Sequence, residues 1–149
     1  MLALQALCLF DSLGDAFGEQ LDDFLRDTQV HADLSFGRRP SAETLTFARQ
    51  LASGAWAGRD RYDQLLERTA TDWSVARMPP TDRNILRLGL HELLEHPETP
   101  AEVVINEAVE LARVFGGEDS PAFVNAVLDA NRRQLGIGTR RGGEQDEGS

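Results

Sequence analysis

Lysine is absent from this 149-residue chain and cysteine occurs once, so all 15 cations are arginines, set against 25 acids for a formal net charge of −10. A lone Cys8 excludes an internal disulfide framework and fits a reducing compartment. No run approaches the ~18 apolar residues needed to cross a bilayer, so no membrane role is expected. The opening MLALQALCLF lacks the basic lead and small-residue cleavage site of a signal peptide. Cytoplasmic localisation follows as the expectation. Sustained period-two alternation is missing too, which argues against a sheet. A shortage of positive charge speaks against nucleic acid, whose phosphates normally meet a basic footprint. That acidity is uneven, however: residues 1–36 carry a net −6 and residues 37–149 only −4.

What the chain does have is helical periodicity and 41% hydrophobic residues, enough for a real core. The first apolar pattern runs from residue 1 to about Leu13 and stops near Gly14. A short acidic helix is expected over Glu19 to about Thr28, followed by a loop from Leu34 to Pro40. Ser41 offers an N-cap for a helix reaching about Gly58, and another helix follows from Arg59 to about Trp73. Met78-Pro79-Pro80 breaks the chain, and Thr81 is a candidate N-cap for a helix over 82–95 that is apolar on several sides. Thr99-Pro100-Ala101-Glu102 reads as a capping box with proline at the first helical position, and Gly116-Gly117 as the stop. Ser120-Pro121 starts the last helix, which lasts to about Leu135. The fold class is all-α: a single domain of about seven helices over residues 1–135, with 136–149 a disordered tail.

Catalytic chemistry is hard to find. Glu92 and His96 lie four apart, but no HExxH or Glu-x-x-His pattern accompanies them, and a surface contact is the simpler reading. Glu107 and Glu110 read as a solvated edge. Cys8 sits in an apolar helix with no cationic neighbour to make it a thiolate. Gly116-Gly117 follows a helix, whereas a phosphate-cradling loop would follow a strand. The expectation is a protein that is not an enzyme and needs no cofactor or metal. Three arginine pairs, Arg38-Arg39, Arg132-Arg133 and Arg140-Arg141, remain as possible phosphate contacts, although the second also suits a helix C-terminus.

Three motifs carry more information: DRNILRLGLHEL (82–93), VVINEAVELARVFG (103–116) and SPAFVNAVLD (120–129). Together, in this order, they resemble the NusB family of bacterial transcription antitermination factors, strongly over residues 72–129 and more loosely at LQALCLFD and between residues 41 and 70. The resemblance implies a NusB-like domain of two packed helical subdomains. It implies a non-catalytic, RNA-binding adaptor that pairs with the ribosomal protein NusE, binds boxA-type single-stranded RNA of ribosomal RNA operons, and joins an RNA polymerase antitermination complex. Carried over by motif, Gln5, Cys8, Asp119 and Phe123 fall at RNA-binding positions, and Asp82 falls where the family presents an acid to NusE.

Departures from the pattern are informative. Cys8 replaces a usual tyrosine and would lose stacking on a base. Ala126 stands for a usual glycine and His91 for a frequent tyrosine, both expected to be packing adjustments. Family members usually begin with an arginine-rich segment, and Met1 here coincides with a point already inside the first helix. The expectation is a start assigned too far downstream, with a variant weakened in RNA binding as the alternative. Local acidity therefore ceases to exclude RNA, because restored arginines would fall at the RNA surface. Two other readings are a protein-interaction or homodimerisation module that kept the fold, and the RNA-targeting domain of an RNA cytosine methyltransferase. The second would require a longer chain, and a homodimer remains compatible with the first reading as well.

Overall fold

Glycines and prolines divide the chain into helices, and a computed structural model shows where each one starts and stops. It describes residues 1–27, 41–69 and 74–137, and the contacts separate these into two units, Met1–Arg59 and a second that begins at Asp60. Among the described residues there are seven α-helices, two 3-10 turns and no strand. The predicted loop over 34–40, the end of the second helix at Thr28, the last turn toward Trp73 and the tail from residue 138 onward lie outside the described residues.

In the N-terminal unit, α1 (Leu2–Leu13) begins without a side-chain cap and is ended by Gly14, whose φ of 81° lies in the left-handed region that favours glycine. A 3-10 turn over Asp15–Glu19 and α2 (Leu21–Arg26) replace the single acidic helix expected from Glu19. The turn forms because Phe17 is drawn into the core, where its ring meets Phe10 edge-on at 5.0 Å and Phe24 at 5.9 Å. Ser41 caps α3 (Ala42–Ala57) as expected, its Oγ accepting the Thr44 N–H at 3.1 Å. Ala48, Ala52 and Ala55 make α3 thin on its buried side, which lets α1 pack closely against it.

In the C-terminal unit, α4 (Arg59–Thr69) leads to α5 (Pro80–Glu95), α6 (Ala101–Phe115) and α7 (Ser120–Leu135). Helix α5 is the central element, with Ile85, Leu86 and Leu90 fully buried, and α6 and α7 pack on it and on each other. Each such side chain contributes roughly 1.5–3 kcal/mol through burial. Gly89 is where α5 and α7 come closest: a Cβ there would lie 2.8 Å from Leu128 Cδ1.

Two expected caps are corrected. Thr81 does not cap α5, because Pro80 already has helical geometry and Pro79 holds the N-cap position. Thr99 makes no cap bond either, because Pro100 is itself the N-cap residue of α6. In both cases the proline's restricted backbone sets the start without a side-chain acceptor. At the far end of α7, Gly136 adopts φ 69°, and the Ile137 and Gly136 N–H groups return to the Arg132 and Arg133 carbonyls as a Schellman closure.

Candidate functional site

The start of α7 is assembled by a short relay of hydrogen bonds. Ser120 Oγ accepts the Gly117 N–H at 2.9 Å and donates to Asp82 Oδ1 at 2.7 Å. The direction is fixed by chemistry, since a backbone N–H can only donate and the carboxylate can only accept. Asp82 is 6% exposed and Ser120 5%. Asp82 lies in the first turn of α5, where the helix dipole favours its charge. Asp119, by contrast, is exposed, and its carbonyl accepts the Phe123 N–H at 3.1 Å within the first turn of α7. Phe123 is half-buried and Ala126, one turn on, is exposed. The structure thus brings Asp82, Asp119 and Phe123 into one neighbourhood and makes the acid the least accessible of the three.

Gln5 and Cys8 belong to the N-terminal unit. With Leu9 and Ser12 they form a less buried stripe of α1, opposite the buried Leu2, Ala3, Leu4, Ala6, Leu7 and Phe10. At the end of the same unit, Trp56 stacks on Phe10 at 5.5 Å on one side and lies under the Arg59 guanidinium at 3.9 Å. Its indole N–H donates to Asp15 Oδ1 at 2.7 Å.

Other polar groups in the C-terminal unit act between helices. Arg87 of α5 donates Nε and Nη2 to the two oxygens of Asp63 on α4, at 2.8 and 2.7 Å, and Nη1 to Asn84 Oδ1 at 3.0 Å. His91 Nδ1 and the Tyr62 hydroxyl share a 2.8 Å hydrogen bond in the core. His91 therefore does more than fill the space of a tyrosine. Burial first, then the neighbouring His96 charge, hold the His91 imidazole below its ordinary pKa. Glu92 is raised, by burial and then by Glu107. His96 Nδ1 meets Glu98 at 3.0 Å, and the imidazole also acts electrostatically on Glu92, one turn earlier. Among the described residues no group of three or more His, Cys, Asp or Glu side chains is placed to hold a metal ion. Nor is any helix long and apolar enough to cross a membrane.

Of the arginine pairs, Arg38-Arg39 and Arg140-Arg141 lie outside the described residues. Arg132 and Arg133 converge on Asp129, at 2.7 and 2.5 Å. The Arg132 bond foremost keeps the Asp129 carboxyl below its ordinary pKa. One carboxylate thus serves two guanidiniums, so the cluster keeps a net positive charge, and the Arg133 side chain is 72% exposed. Sequence reasoning missed the Asp82–Ser120, Asp63–Arg87 and Tyr62–His91 pairs, which span 38, 24 and 29 residues.

Fold and site together define an all-helical interaction protein whose buried polar groups lock helices to one another beneath an exposed Asp119 and a half-buried Phe123. The chain belongs to the NusB family: that family's sequence model matches residues 1–133. The transcription antitermination protein NusB of Myxococcus xanthus is 50% identical over 127 residues, covering 85% of this chain and 86% of that protein. Thermotoga maritima NusB (T. maritima, form 2) shares the fold with a TM-score of 0.75 at 29% identity, covering 89% of this chain and 87% of that one. A structure of the antitermination factors NusB and NusE in complex with double-stranded RNA matches with a TM-score of 0.74 at 23% identity, covering 89% and 92%, a likeness of fold.

Proposed function

We propose that this protein is a cytoplasmic transcription antitermination factor that pairs with NusE and holds boxA-type RNA in an RNA polymerase antitermination complex. The observation that carries this reading is the 50% identity to an antitermination NusB over 85% of the chain. The fold's likeness to a NusB seen together with NusE and RNA agrees with it. In this reading the exposed Asp119 and the half-buried Phe123, around the start of α7, meet RNA, the aromatic ring serving as a stacking partner for a base. Gln5 and Cys8 contribute the α1 stripe, whereas Asp82, which the family resemblance assigns to NusE, is buried behind the start of α7. Because the chain carries a net −10, most of the phosphate attraction comes from the partner and from few local arginines.

The test is a titration of labelled boxA RNA with the chain and NusE together, at moderate salt. Binding at least tenfold tighter than to a scrambled RNA is expected. Equal affinity for both RNAs refutes the reading.

A further inference from the structure

We infer that Asp82 is a positioning residue for the start of α7: through Ser120 it sets the orientation of Asp119 and Phe123, without itself being the group that a partner touches. The inference rests on the RNA-binding reading above and deepens it.

Three observations converge. Asp82 is almost wholly buried, so a docking protein can reach little of its carboxylate. That carboxylate accepts a charge-assisted bond from Ser120, a residue immediately next to Asp119. And the Gly116–Ser120 turn, closed by the Gly117 N–H on Ser120 Oγ, has no slack. A Cβ on Gly116 would lie 2.7 Å from both Ser120 Cβ and Oγ and 2.8 Å from the Ala112 carbonyl oxygen, so only glycine permits this approach. From Asp82 to the aromatic ring the path is short: carboxylate to Ser120 hydroxyl, one peptide to Asp119, and the Asp119 carbonyl to the Phe123 N–H.

Bound in this way, the Ser120 hydroxyl has no freedom. Its proton is committed to Asp82 and one lone pair to Gly117. Removing the carboxylate releases the hydroxyl rotor and with it the Gly116–Asp119 turn. The cost then appears as ordering that RNA binding must supply, rather than as a lost contact with RNA.

The experiment compares the full-length chain with Asp82→Ala, Asp82→Asn, Ser120→Ala and the Asp82→Ala/Ser120→Ala pair. Affinity for labelled boxA RNA is measured at saturating NusE, and affinity for NusE alone is measured separately. Asp82→Ala and Ser120→Ala are each expected to weaken RNA binding by about five- to tenfold, as for loss of one well-ordered hydrogen bond. The pair is expected to weaken it no further, because both changes cut one path. Asp82→Asn keeps an oxygen that can accept from Ser120, so it is expected to stay within about twofold of the unaltered chain. NusE affinity without RNA is expected to be unchanged. Amide exchange at Gly117, protected in the unaltered chain, is expected to speed up in both alanine variants and to recover in Asp82→Asn.

Unaltered RNA affinity in both alanine variants overturns the inference, and so does a loss that Asp82→Asn fails to restore. A fall in NusE affinity with RNA affinity intact overturns it in favour of direct partner contact. Should Asp82→Ala not fold, Ser120→Ala alone carries the test. Failure of the unaltered chain to prefer boxA RNA refutes the functional reading itself, a result distinct from all of these.

Discussion

Replacing Asp63 by alanine removes a bidentate carboxylate partner of a guanidinium that has almost no access to water. The Arg87 side chain is 7% exposed and that of Asp63 25%. Arg87 Nε and Nη2 bond Asp63 and its Nη1 bonds Asn84, which is itself tied by its amide to the Pro80 carbonyl at 2.8 Å. Truncation of one member of a buried pair costs about 3–5 kcal/mol, because the other charge loses that counter-charge while staying largely out of water. The quarter exposure of Asp63 admits water to one end of the fork, so the lower end applies: about 3 kcal/mol. For a chain of this size that corresponds to a fall in Tm of about 10 °C. Urea and thermal unfolding followed by circular dichroism measure it directly. The double variant Asp63→Leu/Arg87→Met removes both charges and is expected to recover most of the loss, as apolar replacement of buried pairs often does. A cost below about 1 kcal/mol for Asp63→Ala would refute the argument that this pair clamps α4 to α5, since that is the range of a solvated surface bridge.

Further outcomes follow from other contacts. Gly89→Ala gains about 1 kcal/mol of helix propensity but drives a methyl into Leu128, so a net loss near 1 kcal/mol is expected by chemical denaturation. Combining it with Leu128→Ala, which opens space at the same spot, should cost less than the two separate losses summed. His91 titrates below its ordinary 6.5 in the folded chain, so the unfolded chain takes up the proton first as pH falls. Stability should therefore decline from about pH 7 downward until the folded pKa is passed, and urea midpoints of His91→Asn should show a shallower decline. Glu92 works in the opposite sense: its raised pKa adds stability as pH drops through that value, so Glu92→Gln should steepen the acid decline. Ser41→Ala removes the one side-chain cap on α3 and should lower stability by about 1 kcal/mol in the same assay.

Among the described residues most helix ends were legible because glycine, proline and the Ser41 cap act locally, and local rules suffice for them. Gly14, Gly58, Gly116 and Gly136 all stop helices where the apolar pattern ends. Thr81 and Thr99 misled because a cap signal and a proline signal lay side by side, and the proline's fixed geometry decided the matter. The site was legible only in part. That Asp119 is exposed and Phe123 lies one turn on follows from a helix start at Ser120. The burial of Asp82 does not, since an aspartate in a first turn usually faces water, and its partner lies 38 residues away. Pairs such as Asp63–Arg87 and Tyr62–His91 leave no trace in periodicity, because each needs two helices to be in register before it exists.

Trp56 gives the N-terminal unit an optical gauge of its own. Its indole is held by a phenyl ring, a guanidinium and a carboxylate that come from three separate stretches of chain. In a Trp73→Phe background, the wavelength and quenching of its emission would therefore report closure of α1 on α3 alone. Unfolding followed by that emission and by the far-ultraviolet helical signal would then reveal whether the protein melts as one cooperative body or as two.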